Sequence, residues 1–227
     1  LAQGQRTVLS DAGRDIKMQA DRDAEKAILA QLAPSGFPVL AEESGAHGDV
    51  MNSGPVWVVD PLDGTMNFSR EIPFYGTSIA LLVAGKPVMG VIYDANRSET
   101  FSGIVSEGCW LNGIAVTVSN ISDPSKAILA TGLPTCSNHD SASLVTFVHD
   151  MGRFKKVRML GSAALMLAYV AAGRIDAYSE DDIMRWDVAA GLARVQAAGG
   201  FVSDRPSERI EWGRYVRCAG NSKLWES

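Results

Sequence analysis

Two aspartates stand three residues apart in Val56-Trp57-Val58-Val59-Asp60-Pro61-Leu62-Asp63-Gly64-Thr65, directly after an apolar run. Pro61 sets a bend that brings Asp63 back beside Asp60, so two carboxylates share one small space. Like charges that close force one group to take up a proton, unless a hard divalent cation with oxygen ligands sits between them. Magnesium suits such a site. Gly64 gives the backbone freedom to turn, and Thr65 follows at an expected helix start near Met66, where exposed N–H groups bind phosphate oxygens. Metal chemistry and a phosphate cradle therefore fall within six residues.

Two other acidic stretches join the argument: Ala41-Glu42-Glu43-Ser44 and Arg185-Trp186-Asp187-Val188-Ala189-Ala190-Gly191. Taken singly, each has an ordinary explanation. Asp-Pro-Leu-Asp-Gly is a competent polar turn, adjacent glutamates usually face solvent, and Asp187 is a natural residue for the first turn of a helix.

The elements that position these groups can be read from periodicity. Residues 20–32 place Ala24, Ala27, Ile28 and Leu32 on one face and end at Pro34 and Gly36, which predicts a helix. Residues 38–40 and 56–59 read as short strands that deliver carboxylates from their C-terminal ends. Residues 75–118 alternate β-prone runs with turn signals, the strongest being Asn112-Gly113, and so predict an antiparallel meander. Beyond a polar stretch at 119–126, strands at 128–130 and 156–159 alternate with helices at 141–151, 163–171 and 187–198.

Composition narrows the function classes. Of 227 residues, 46% are hydrophobic and 21% charged, the balance of a globular protein. The formal net charge of -5 gives no basic field of the kind that holds a nucleic acid polymer by counterion release. Cys109, Cys136 and Cys218 are an odd number at wide spacing without a CxxC pair, which reads as reduced thiols in a cytoplasmic protein. The best apolar run, around 79–91, is interrupted by Gly85-Lys86-Pro87, so no membrane span is expected.

Together and in this order, the three acidic segments resemble the inositol monophosphatase family, whose patterns run GEES, then WxxDPxDGTxNF, then WDxAAG. The likeness extends to IPFYGTSIAL, GVIYD, WLNG, LGSAAL and RIDAYSEDDIMRWDVAAG, and so to nearly the whole chain from about Asp21 onward. It implies an αβαβα layered sandwich of the sugar phosphatase type, in a single domain with lobes at approximately 1–122 and 123–227. The resemblance makes Glu43, Asp60 and the Leu62 carbonyl ligands of one magnesium, and has Asp60, Asp63 and Asp187 hold a second. A third ion would lie near Glu43.

Water is implied to attack phosphorus directly, positioned by Thr65 with Asp21 as the partner of its hydroxyl. Gly161, Ser162, Ala163 and Glu180 would line the substrate pocket with Asp63, Gly64, Thr65 and Asp187, Glu180 contacting substrate hydroxyls. A small phosphorylated polyol or sugar as substrate, a homodimer and lithium sensitivity come with the resemblance. Ala41 departs from it, replacing the usual glycine before the glutamate pair.

Relatives with this metal core act on inositol monophosphate, fructose bisphosphate, histidinol phosphate or 3′-phosphoadenosine nucleotides. A haloacid dehalogenase-type phosphatase, with a DxDGT motif and a nucleophilic aspartate, fits less well because one extra residue separates Asp60 from Asp63. A non-catalytic sugar-phosphate-binding relative is the reading of another class. A serine or cysteine hydrolase finds no GxSxG-like motif in relation to His47, His139 or His149.

Overall fold

The computed structural model describes residues 8–12, 15–133 and 141–226. Cys136 and His139 lie outside the described residues. A short hairpin of β1 (Val8–Ala12) and β2 (Asp15–Met18) leads into helix α1 (Gln19–Leu32). The helix predicted over 20–32 is present, and it ends where Pro34 and the left-handed Gly36 follow.

Next come β3 (Val39–Ala41), β4 (Gly45–His47), β5 (Pro55–Asp63) and a single-turn helix α2 (Thr65–Ser69). The predicted meander is β6 (Gly76–Val83), β7 (Lys86–Asp94), β8 (Glu99–Ile104), β9 (Gly108–Leu111) and β10 (Ile114–Ala115). These strands form one eight-stranded sheet in the order β10-β9-β8-β7-β6-β5-β3-β4. Only β3 and β5 run parallel within it, with Val39 beside Trp57, Leu40 beside Val58 and Ala41 beside Val59.

The rest of the chain comprises β11 (Ile128–Thr131), α3 (Ser141–Gly152), β12 (Lys156–Arg158), α4 (Ala163–Ala171), β13 (Ala177–Met184), α5 (Arg185–Ala197), β14 (Phe201–Pro206) and β15 (Gly213–Ala219). Its strands form a five-stranded sheet in the order β12-β11-β13-β15-β14.

The layers stack as α, β, α, β, α. Ile28, Leu29 and Leu32 of α1 cover Val39, Ala41 and Val59 on one face of the large sheet. Helices α4 and α5 fill the space between the sheets, where their apolar side chains meet Leu40, Val58, Ala80 and Ile92 from one side and Ala130, Tyr178, Val216 and Cys218 from the other. Nearly every residue of α4 is buried, which explains why its sequence is apolar on all sides rather than striped. A side chain at Gly90 would collide with the Ala190 carbonyl, so the bare backbone of β7 lets α5 lie directly on the sheet. On the outer face of the small sheet, Phe154, Leu224 and Trp225 cover Leu129, Ala177 and Ala219. Cys109 and Cys218 are buried free thiols, and no helix among the described residues is long and apolar enough to cross a membrane.

Candidate active site

Asp60 and Asp63 arrive on the C-terminal end of β5. The strand pairs regularly with β6 from Pro55 to Asp60, then bulges before Asp63 meets Gly76. Within the bulge the Leu62 N–H donates to Asp60 Oδ1 at 2.9 Å, and Thr77 Oγ1 donates to the Pro61 carbonyl at 2.9 Å. The bend that Pro61 predicts is thus a bulge braced from both strands, and it turns Asp60 and Asp63 toward one place.

Asp187 approaches from the first turn of α5. That turn is held to the large sheet by Ser78 Oγ, which donates to the Trp186 carbonyl at 3.2 Å. Carboxylate oxygens of Asp60, Asp63 and Asp187 all lie within 4.8 Å of one another. The fold therefore gathers three acids from two parts of the chain more than a hundred residues apart.

The electrostatics record the cost of this gathering. Burial raises Asp60 and Asp187 well above the usual aspartate range, and neighbouring carboxylates push them further in the same direction. Burial also lifts Asp63, but Ser162 Oγ at 2.5 Å and the Ala164 N–H at 2.7 Å donate to its Oδ2 and limit the rise to about 6. Both donors belong to the start of α4, where Ser162 is also the cap that accepts from the Leu165 N–H at 3.3 Å. Asp63 therefore completes the N-terminus of a buried helix while facing the acid cluster.

A fourth acid, Glu42, joins the cluster. Glu42 shares a hydrogen bond with Asp60, and burial drives its carboxyl up to about 8, with Glu43, Asp63 and Asp21 adding to the rise. The ladder explains why. The Glu42 N–H donates to the Val59 carbonyl at 3.1 Å, continuing the β3–β5 register so that Glu42 follows Leu40 onto the face of Val58 and Asp60. Glu43 lies in the turn that follows, and its backbone N–H donates to Glu25 Oε2 at 3.0 Å. The glutamate bonded to Asp60 is therefore Glu42, the chain neighbour of the Glu43 that the family resemblance implies as a ligand. Strand alternation through Leu40-Ala41-Glu42 is the signal that places Glu42 beside Asp60.

The Thr65 hydroxyl donates to the Leu62 carbonyl at 3.1 Å, so a sequence-predicted catalytic residue and a sequence-predicted metal ligand are in direct contact. Gly64 sits between them at φ 94°, and a Cβ there would stand 3.1 Å from the carbonyl oxygens of Gly161 and Phe74. The Gly64 backbone is therefore pressed against Gly161, next to Ser162 and Ala163. Asn67 completes this junction, its Nδ2 donating to the carbonyls of Phe74 and Leu160 at 2.7 Å each. Sequence reasoning left Asn67 without a role.

Asp21 is buried in the first turn of α1, where its Oδ2 accepts the Met18 N–H at 2.6 Å. Its charge also reaches Glu42. Glu180 is buried on β13 and accepts the Tyr178 hydroxyl at 2.7 Å. Burial lifts Glu180 to about 7, partly offset by that bond, and Asp63 adds to the rise.

Buried carboxylates in contact, closed on one side by a helix N-terminus, are the arrangement of an oxygen-ligand site for hard divalent cations beside a place for an anion. That defines the class, a layered αβαβα fold of the sugar phosphatase type carrying an acid cluster able to hold a metal ion. The sequence matches the model of the inositol monophosphatase family over residues 2–225, and the chain belongs to that family.

The inositol-1-monophosphatase of Mesorhizobium japonicum is 42% identical over 194 residues, which make up 84% of this chain and 72% of that protein. A Xylella fastidiosa protein named Nus factor SuhB is 40% identical over 200 residues, 87% of this chain and 72% of its own length. Among solved structures, the extragenic suppressor protein suhB of Bartonella henselae superposes with a TM-score of 0.81 at 37% identity, covering 95% of this chain and 84% of that one. The inositol monophosphatase of Anabaena does so with a TM-score of 0.80 at 36% identity, covering 90% and 82%.

Proposed function

We propose that this chain is a magnesium-dependent phosphomonoesterase that hydrolyses inositol monophosphate or a similar polyol phosphate. The observation that carries the reading is the meeting of Asp60, Asp63 and Asp187 within 4.8 Å, with Glu42 bonded to Asp60. Oxygen donors alone, in a space where they repel one another, fit Mg2+ better than a thiolate- or imidazole-seeking metal. In this reading Glu42, Asp60, Asp63, Asp187 and the Leu62 carbonyl hold two ions, and the family likeness adds a third near Glu43. Bound divalent cations supply positive charge to the phosphate and lower the pKa of water.

The chain's own groups do the rest. Asp63 accepts the Ser162 hydroxyl and the Ala164 N–H and so ties the end of β5 to the start of α4 beside the phosphate pocket. Thr65, anchored on the Leu62 carbonyl, orients the attacking water with Asp21 as its partner, and water displaces the alcohol in line. Gly64, Gly161, Ser162 and Ala163 wall the pocket. Glu180, turned into a hydrogen-bond acceptor by Tyr178, receives substrate hydroxyls. The name of the Mesorhizobium relative supports the inositol reading.

Lithium sensitivity, a homodimer and a cytoplasmic setting belong to this proposal through family membership. Phosphate release with Mg2+ from inositol monophosphate, fructose 1,6-bisphosphate, histidinol phosphate and 3′-phosphoadenosine 5′-phosphate tests the reading. A clear preference for inositol monophosphate is expected. Preference for any of the other three would reassign the substrate, and release from none would refute the function.

A further inference from the structure

At the opposite end of β5 from Asp60 and Asp63 lies a cavity of about 340 Å³ that the phosphatase reading does not use. Leu40, Val56, Val58 and Leu82 form its apolar floor, and Trp212 and Arg185 stand at its side. The floor residues are buried members of β3, β5 and β6, and the loop Val50 to Ser53 with the turn at Ala84 and Gly85 forms the rest of the wall. Its size is that of a small-molecule site, and its lining combines apolar side chains with the polar Asn52, Ser53 and Arg185. No carboxylate is in its lining, and a polyol, which needs many acceptors, has little to bind there.

Arg185 gives the cavity its chemistry. Its backbone N–H donates to the Trp212 carbonyl at 3.0 Å, and its Nη2 donates to the Gly85 carbonyl across the mouth of the cavity. Among the described residues no carboxylate is in ion-pair contact with this guanidinium. The acid whose field reaches it, Asp204, is bonded instead to Arg214 at 2.6 Å. A half-buried guanidinium with one neutral acceptor retains donors for an anion, and its planar fork suits a carboxylate.

We propose that this cavity binds a medium-chain carboxylate, the alkyl chain lying on Leu40, Val56, Val58 and Leu82 and the carboxylate meeting Arg185. The apolar floor and the unpaired cation are both needed for such a ligand, and the two stand on the same cavity.

Calorimetric titration of the whole chain with octanoate, in the presence of Mg2+ and inorganic phosphate to fill the acidic site, tests this directly. Saturable one-to-one binding at about 1 mM or tighter is expected, since about ten heavy atoms at modest ligand efficiency supply that much. Octanol, which keeps the chain and lacks the charge, should bind about tenfold more weakly. Arg185→Gln should bring octanoate down to the level of octanol without altering octanol binding, and Arg185→Lys should recover part of the loss. Thermal melting of each variant separates a binding defect from a folding defect. Absence of saturable binding below about 10 mM, equal affinity for octanoate and octanol, or an Arg185→Gln affinity equal to wild type in a folded variant would overturn the proposal.

Discussion

Ser162 Oγ donates to Asp63 Oδ2 at 2.5 Å, joining the bulge of β5 to the start of α4 across 99 residues of sequence. The same hydroxyl caps α4, so one side chain serves the helix and the acid cluster together. Replacing Ser162 with Ala should cost about 1–2 kcal/mol of stability through loss of the cap and of a bond to a charged acceptor. It should also weaken Mg2+ dependence of turnover about tenfold, because Asp63 would hold its proton more tightly. Denaturant unfolding and a Mg2+ titration of activity measure the two effects separately.

The two adjacent glutamates should behave differently. Glu42→Gln removes the acid bonded to Asp60 and should lower kcat about a hundredfold or more. Glu43→Gln, in the turn after β3 where the backbone N–H holds Glu25, should retain activity within about threefold. Steady-state phosphate release by the two variants decides the matter, and equal losses would mean that the ladder does not select between them.

Metal-free protein should lose stability as pH rises. Burial lifts Glu42 to about 8, Glu180 to about 7 and Asp63 to about 6, all above an unfolded carboxylate near 4. Between those limits the folded chain binds more protons than the unfolded one, so the stabilisation present below about pH 4 is lost progressively up to about pH 8. A cation that needs ionised ligands reverses the trend. Melting temperatures with EDTA should fall from about pH 5 to about pH 8, and the gain on adding Mg2+ should be larger at the higher pH.

Asn67→Ala should destabilise the chain by about 2–4 kcal/mol, since it strands the Phe74 and Leu160 carbonyls at a buried junction. Urea unfolding checks this. A loss below about 0.5 kcal/mol would show that the two carbonyls find other donors.

Much of this site is legible in the chain because its chemistry is local. Asp60, Pro61 and Asp63 sit in one turn, and their crowding follows from covalent geometry and charge alone. The α4 and α5 helices and the meander from Gly76 to Ala115 also follow from periodicity and turn residues. Glu42 is harder, since its identity depends on a parallel register between β3 and β5 that no short-range signal sets. Strands β13, β14 and β15 escape for a related reason. Glu180-Asp181-Asp182 breaks the apolar pattern of β13, and the two antiparallel pairings have no tight hairpin residues to announce them. Asn67 and Ser162 act across lobe-length separations, so their partners can be known only once the layers are stacked.

The central claim is that Asp60 belongs to a cation site that hydrolyses a phosphate ester. Phosphate release from inositol monophosphate, followed as a function of Mg2+ for the wild-type chain and for Asp60→Asn with its melting temperature checked, tests it most directly. The account predicts saturable Mg2+ dependence in the wild type and activity below about a hundredth of it in a folded Asp60→Asn. Release that needs no divalent cation, or an Asp60→Asn variant retaining more than about a tenth of wild-type activity, would contradict it.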